Sequence, residues 1–181
     1  MFENIKSDIS RFSENDKFLF GVLLRGLLSQ GFQALLVYRF FHWLRKKGIP
    51  SQPVRFLVER FIEITTGISI PAECKIGKGL RIHHFGGIIF HPSAELGDNC
   101  TIYHDVTIGD IGGYGEAAKI GNSVFIGAGA KIIGDITIGS NCIIGANAVV
   151  NRNIENDSLV VGNPCIIKKN KIQPESKWPE N

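Results

Sequence analysis

The chain has 181 residues, of which 44% are hydrophobic and 20% are charged, a composition typical of a globular protein. Its length allows one domain, or one domain with a smaller appendage. The net charge of +3 is too small to indicate a nucleic-acid partner, and the sequence has no basic helix interleaved with aromatic residues. The first residues do not have the pattern of a signal peptide, which favours a cytoplasmic protein.

The first third of the chain has a helical pattern. Residues 1–17 predict a short polar helix or arm, and the apolar pattern of residues 18–47 predicts two helices that meet near Ser29–Gly31. A glycine and a proline predict the end of the second helix, and a third is expected from Pro53 to about Thr65. We expect residues 1–66 to form an α-helical cap, because the open strand edges of a terminal repeat need covering.

The long apolar run within this cap is interrupted by polar residues. Arg25, Gln30 and Arg39 divide it, which argues against a membrane-spanning helix. The basic residues Arg45, Lys46 and Lys47 follow the run, so peripheral contact with a membrane surface stays open.

An aliphatic or aromatic residue then recurs at every sixth position over a long stretch. Glycine often follows it, and a small or aliphatic residue often stands four positions later. A period of six fits neither an amphipathic helix nor one alternating strand, and it indicates a parallel β-helix. We therefore expect a triangular prism over residues 67–169, in which each hexapeptide is a short strand with a turn. The predicted inward residues are Ile70, Ile76, Ile82, Phe90, Leu96, Ile102, Ile108, Ile120, Ile126, Ile132, Ile138, Ile144 and Val150. Residues 170–181 predict a polar tail.

The repeat is irregular at two points. The step from Ile82 to Phe90 is longer by two residues, which predicts a bulge at Gly86-Gly87. One recurrence is missing between Ile108 and Ile120, so residues 109–119 are expected to form an outward loop.

Three of the four cysteines fall on the small inward position of the repeat: Cys74, Cys100 and Cys142. They are predicted to be buried, free thiols, and such thiols suit a reducing cytoplasm.

Two histidines are predicted to stack on an outward face. Three hexapeptides make one coil, and the bulge lengthens the stacking interval so that His84 and His104 lie above one another. Outward imidazoles in this arrangement indicate a general base at neutral pH, and His83 stands next to the first of them. The alternatives are a solvated surface pair and a metal site that also includes His91. We expect no metal, because the cysteines point inward and no compact ligand spacing is present.

The same count predicts what lies above and beside these histidines. It places two polar residues on the next coils of that face, Asn122 and Ser140. On a second face it stacks Asp110, Ala128 and Ala146 into a column of small side chains. Such a column predicts a shallow groove for a long, thin ligand, although tight coils or a subunit contact would explain it equally well. Lys168 and Lys169, beyond the groove, could meet phosphates.

Several stretches carry a family resemblance. The helical segment contains Gln33-Ala34, Tyr38-Arg39 and His42-Trp43-Leu44, and the repeats contain residues 124–134 and Val161-Gly162-Asn163-Pro164. Together they resemble the hexapeptide acyltransferases and, among these, the serine acetyltransferase branch. The resemblance implies an α+β protein with a left-handed parallel β-helix, assembled as a homotrimer with active sites between subunits. It also implies that acetyl-CoA is the cosubstrate of an O-acetyl transfer.

The resemblance implies roles for particular residues. His84 matches the base that removes the proton from the acceptor hydroxyl, and we expect His104 to orient the acceptor or the base. Asp110, Ala128 and Ala146 match the family's groove for the pantetheine arm, and Gly109, just before Asp110, is expected to contribute to it.

The chain departs from the serine acetyltransferases at three places. They carry aspartates where His83 and Ser69 stand here, and an arginine–histidine pair on a loop that here ends in Glu116-Ala117-Ala118. An amino-acid acceptor needs charged partners, whereas a sugar hydroxyl needs none. We therefore expect the acceptor to be a sugar hydroxyl of a bacterial surface polysaccharide or its precursor, as in acetyltransferases of the colanic-acid type. L-serine is the alternative acceptor, with His104 or Glu116 replacing the lost contacts. An assembly protein without activity and a metal hydrolase are more distant alternatives.

Overall fold

The computed structural model describes residues 1–11, 28–113 and 115–169. Its described helices are α1 (Phe2–Ser10), α2 (Gln30–Lys46) and α3 (Val54–Thr66). The predicted helix before residue 28, Tyr114 of the predicted loop and the predicted tail from residue 170 lie outside the described residues.

Local sequence explains where α2 and α3 end. Gly48 follows α2 with φ +67°, and Gly67 ends α3 with φ +66°, a left-handed conformation that suits glycine. A Cβ atom at Gly67 would also lie 2.8 Å from the Cα atom of Gly86. This glycine therefore sets both the end of α3 and its close approach to the predicted bulge.

Short strands follow the helices along the chain. They are β1 (Ile68–Ser69), β2 (Lys75–Ile76), β3 (Arg81–Ile82), β4 (Ile88–Phe90), β5 (Glu95–Leu96), β6 (Thr101–Ile102), β7 (Thr107–Gly109), β8 (Lys119–Ile120), β9 (Phe125–Ile126), β10 (Lys131–Ile133), β11 (Thr137–Ile138), β12 (Ile143–Ile144), β13 (Val149–Val150), β14 (Ser158–Val161) and β15 (Ile166–Lys169). Sheet A has the order β1-β4-β7-β10-β13, sheet B β2-β5-β8-β11 and sheet C β3-β6-β9-β12-β14-β15. All pairs are parallel except β14 with β15.

The strands form a left-handed parallel β-helix of about five coils, as predicted. Each coil contributes one strand to each of the three sheets in turn. Every predicted inward residue is buried, and none exposes more than 8% of its surface. Burial of this aliphatic column removes apolar surface from water and is the main source of stability in the prism.

The register across sheet C corrects one part of the predicted stacking. Ile82 pairs with Ile102, Ile102 with Ile126, and Ile126 with Ile144. The chain passes from β7 in sheet A directly to β8 in sheet B, so the described residues between these strands lie at a corner and do not replace a strand. The predicted stacking counted the missing repeat as one strand on a face of the prism. It therefore assigned every residue after the loop to the neighbouring face.

Buried polar contacts attach the helices to the first coil. Arg39 on α2 donates to both carboxylate oxygens of Asp8 on α1, at 2.9 and 3.1 Å. The same guanidinium donates to the backbone oxygens of Ile76 and Gly77. The hydroxyl of Tyr38 donates to the Cys74 oxygen at 2.9 Å. The helices therefore cap the open end of the β-helix through hydrogen bonds as well as apolar packing.

Cys74, Cys100 and Cys142 are free and buried, as predicted. Burial raises the pKa of the Cys74 thiol to about 12 and that of Cys100 to about 11, because a thiolate would lose its hydration there. In the part of the chain that the structure describes, no helix combines the length and the apolar character needed to cross a membrane.

Candidate active site

The candidate site lies where the chain leaves the strands of sheet C. His84, His104, Ala128 and Ala146 each stand two residues after a paired isoleucine, so they form one column along the prism. His84 and His104 are exposed, as predicted from the stacking. The imidazoles and the small residues, predicted on two different faces, therefore share one face.

The two imidazoles of this column are in contact. The ring centroids of His84 and His104 lie 5.8 Å apart, with 76° between the ring planes. In this edge-to-face arrangement the edge of one ring is directed at the face of the other. Two exposed imidazoles on adjacent coils can therefore contact a single small ligand from two sides.

A second line of rings runs beside this column. His83 stacks on Tyr103 with centroids 4.7 Å apart and 10° between the planes, and Tyr103 contacts Phe125 at 5.3 Å. Tyr103 also lies 5.9 Å from His84. His83 is one of the predicted site residues, whereas Tyr103 and Phe125 are not, although the interval that stacks His84 on His104 also stacks His83 on Tyr103.

A bulge of two glycines follows His84 and the exposed Phe85. Gly86 and Gly87 have φ values of +94° and +68°, and His84 itself has φ +62°. Asp105 lies directly over this bulge, because its backbone N–H donates to the Gly86 oxygen at 2.9 Å. Its carboxylate accepts a hydrogen bond from Lys131 at 3.1 Å. Asp105, next to His104 in the chain, thus presents an exposed carboxylate that is paired with an ammonium group.

Further along the column the backbone is closely packed. A Cβ atom at Gly127 would lie 2.7 Å from the backbone nitrogen of Ala146, and one at Gly145 would lie 3.0 Å from a Val161 methyl group. Larger residues at these glycines would push adjacent coils apart. The result is a strip of Ala128, Ala146 and two glycines in which the side chains are small and the glycine N–H groups donate to the next coil.

The structure places Gly109 and Asp110 elsewhere, which corrects the predicted column. Gly109 pairs with Ile133 in sheet A, so Asp110 stands at the corner where the loop begins. The Gly115 N–H donates to its carboxylate at 3.1 Å, and this bond lowers the pKa of Asp110. Lys168 lies on β15, opposite Leu159, at the end of sheet C. It therefore shares a sheet with the imidazoles, about 19 Å from the strand of His104 and about 24 Å from that of His84 at the usual strand spacing.

Asn122 and Ser140 are also on a different corner from the one predicted. The Asn122 side chain accepts from the backbone N–H of Asp98, and Ser140 Oγ accepts from the Asn122 N–H. These side chains therefore link successive turns between sheets B and C. They lie away from His104.

A metal site is not assembled from the described histidines. His91 follows β4 in sheet A, where its Nδ1 atom lies 2.8 Å from Ser93 Oγ, away from the sheet C column. Within residues 1–11, 28–113 and 115–169, no three His, Cys, Asp or Glu side chains are grouped to hold a metal ion.

A groove of about 680 Å³ follows sheet B and the end of α2, on a different face from the imidazoles. Two ion pairs lie along it, Lys75 with Glu95 at 2.7 Å and Arg45 with Glu73 at 3.8 Å. Its charged side chains therefore partly neutralise one another, and it offers no imidazole column comparable to that of sheet C.

Comparisons with known proteins agree with this architecture. Residues 117–152 match the family model described as bacterial transferase hexapeptide (six repeats). The serine acetyltransferase of Helicobacter pylori is 41% identical over 144 residues, which cover 75% of this chain and 80% of that protein. The solved serine acetyltransferase of Neisseria gonorrhoeae in complex with serine has a TM-score of 0.80 and 32% identity, covering 91% of this chain and 68% of that one. The enzyme of Brucella abortus in complex with coenzyme A has a TM-score of 0.84 and 27% identity, covering 95% and 69%.

These relatives correct the predicted acceptor. The expectation of a sugar hydroxyl in a surface polysaccharide is wrong, because the similar proteins and structures are serine acetyltransferases. The resemblance to the serine acetyltransferase branch is confirmed, whereas the resemblance to acetyltransferases of the colanic-acid type finds no support in them.

Proposed function

Because this chain belongs to the serine acetyltransferase family, we propose that it transfers acetyl from acetyl-CoA to the hydroxyl of L-serine. It is an O-acetyltransferase with acetyl-CoA as cosubstrate. The observation that supports the proposal most strongly is the column on sheet C, where an exposed imidazole adjoins a strip of small residues.

We assign the general base to His84. Its ring takes the proton from the serine hydroxyl while the hydroxyl oxygen attacks the thioester carbonyl. The carbon–sulfur bond then breaks, and the imidazolium returns the proton to the departing thiolate, so the base is regenerated. His104 supports this site from the next coil, and His83, held by its stack on Tyr103, lies beside the base.

The strip above the imidazoles is the proposed site for the pantetheine arm. The small side chains of Ala128, which is half-buried, and Ala146, which is exposed, leave room for a thin ligand along this strip. Lys168 lies at the far end of sheet C, and we propose that its positive charge binds the phosphates of CoA. Gly109 and Asp110 lie on another corner, so they would reach the same ligand only across a contact between copies of the chain.

We further propose a homotrimer in the cytoplasm. The outer side of α3 exposes Val54, Leu57, Phe61 and Ile64, each more than half accessible and spaced as one helical stripe. An exposed apolar stripe of this kind marks an interaction surface. The mass of the particle in lipid-free buffer tests whether other copies of the chain cover this stripe. A monomer that binds anionic vesicles would indicate that the stripe contacts a membrane surface instead.

The test of His84 uses a matched histidine. CoA release from acetyl-CoA and L-serine is compared for the wild type, His84→Ala and His91→Ala. Loss of a general base lowers turnover by about 100- to 10,000-fold, so the first variant should lose kcat while still binding CoA. His91→Ala should lower turnover far less than His84→Ala, because that ring lies beside Gly109 and Asp110 and outside the column of the base. Retention of turnover by folded His84→Ala would contradict the assignment.

A further inference from the structure

The neighbourhood of His84 contains polar groups besides the proposed base. His104 lies on the next coil with its ring centroid 5.8 Å from that of His84. Asp105 follows it, over the glycine bulge, and is largely exposed. The loop from residue 110 to 118 carries Asp110 and Glu116 but no Arg, Lys or His, so its own residues supply no cation for an acceptor carboxylate.

An amino acid presents both charges to any site that binds it. Its ammonium and carboxylate lose hydration on binding, and leaving either one without a partner is costly. In serine the hydroxyl and both charged groups are carried on one short carbon chain. Groups that recognise them must therefore lie within a few ångström of the base that accepts the hydroxyl proton.

His104 meets this requirement for the carboxylate. A neutral imidazole always carries one N–H group, so it can donate to a carboxylate oxygen without first being protonated. The edge-to-face contact directs the two rings differently, and one can contact the hydroxyl while the other contacts the carboxylate. The exposure of both rings leaves this position open to a ligand.

Asp105 meets the requirement for the ammonium. One of its oxygens, Oδ1, lies 3.1 Å from Lys131 Nζ, and an ionised carboxylate can accept several further hydrogen bonds. The same oxygen lies 2.9 Å from the point where a Cβ atom of Gly87 would stand. The carboxylate therefore lies against the bulge, in the space that a side chain at Gly87 would need.

We propose that His104 and Asp105 select the acceptor, with His104 donating to the carboxylate of the amino acid and Asp105 accepting from its ammonium. This inference rests on the proposed function, because it concerns recognition of serine at the same site. It assigns the two charged contacts to side chains at the outer corner of sheet C, and the loop takes no part in them.

The test compares three acceptors that differ by one charge. L-serine, L-serinamide (without the carboxylate) and 3-hydroxypropanoate (without the ammonium) are offered to the wild type, His104→Ala, His104→Gln and Asp105→Asn. The readout is the ratio of kcat/KM between serine and each analogue. Asp157→Asn is the control, because Asp157 has the same left-handed backbone, with φ +56° against +58°, on another corner.

The wild type should prefer serine over each analogue by about 10- to 100-fold, the effect of one hydrogen bond to a charged group. His104→Ala should abolish the preference over serinamide alone, His104→Gln should restore part of it, and Asp105→Asn should abolish the preference over 3-hydroxypropanoate alone. Both ratios should be unchanged in Asp157→Asn.

Two other outcomes separate the failures. A wild type that binds acetyl-CoA but does not acetylate serine would refute the proposed function itself. Serine turnover by the wild type with unchanged ratios in both variants would overturn only this inference. Complete loss of turnover in folded His104→Ala with every acceptor would also overturn it, because the ring would then act in the chemical step.

Discussion

The buried ion pair between α1 and α2 allows a quantitative prediction. Asp8 exposes none of its surface and Arg39 only 3%. Asp8→Ala removes both contacts from the guanidinium and also the acceptor for the Leu80 N–H, which lies 3.0 Å from the carboxylate. Arg39 would then keep a full charge in the interior with only the Ile76 and Gly77 oxygens as partners.

The expected cost is about 3–5 kcal/mol, the range for removing one partner of a buried pair. This is a large fraction of the roughly 5–15 kcal/mol by which domains are stable. If α1 detaches, water reaches Arg39 and hydrates its charge. The loss of stability in Asp8→Ala therefore cannot exceed the free energy needed to detach α1. We therefore expect Asp8→Ala to lower the urea midpoint and to accelerate hydrogen exchange in α1 before the rest of the chain.

The matched control removes both charges. Asp8→Ala combined with Arg39→Met should recover part of the lost stability, because no uncompensated charge stays buried. Recovery should be incomplete, since the backbone oxygens that Arg39 contacts lose their donor. A loss below about 0.5 kcal/mol in Asp8→Ala, or a double variant no more stable than Asp8→Ala, would refute this explanation of how the cap is held.

Further predictions concern the prism. The pKa of Cys74 is about 12 in the folded state, against about 9 in the unfolded chain. Above about pH 9 the unfolded chain loses this proton and the folded state keeps it. The free energy of unfolding therefore falls as the pH rises from about 9 to about 12. Cys74→Ala introduces the residue that Ala94 provides at the same position of the repeat. It should reduce this fall in the free energy of unfolding by up to about 1.4 kcal/mol per pH unit, as measured by urea titrations. An unchanged dependence of that free energy on pH would contradict the prediction. Gly127→Ala should cost about 1–3 kcal/mol because its Cβ would lie 2.7 Å from a backbone nitrogen. Gly109→Ala, with neighbours no closer than 3.7 Å, should stay within about 0.5 kcal/mol in the same melts, and equal losses would contradict the packing argument.

The sequence alone was sufficient for the hexapeptide architecture, because its signal is local. The six-residue period identifies each inward residue from its near neighbours in the sequence. The inward residues of the repeat, from Ile70 to Val150, are buried as predicted. The contact between His84 and His104 followed from the same period, since only one small bulge separates their coils.

The register beyond the loop could not be predicted in the same way. The length of residues 109–119 is compatible with a loop at a corner or with a degenerate strand on a face, and only the pairing of Ile102 with Ile126 distinguishes them. The ion pair between Asp8 and Arg39 was also inaccessible, because it joins helices that the sequence describes separately.

The acceptor shows a different limit of the sequence argument. The aspartates absent at Ser69 and His83, with the arginine–histidine pair absent from the loop, favour a sugar hydroxyl and leave L-serine as the alternative acceptor. A missing residue at one position does not exclude a charged group supplied by another, and the register places Asp105 and Lys131 near the base. Family membership therefore outweighs the argument from missing residues.

The most direct test of the central proposal is the release of CoA from acetyl-CoA with and without L-serine, using protein shown to bind CoA by calorimetry. A thiol reagent detects the CoA, with a blank for the four cysteines of the chain. We predict release that depends on serine, together with O-acetylserine in equal amount. Binding of CoA without any release in the presence of serine would contradict the assignment.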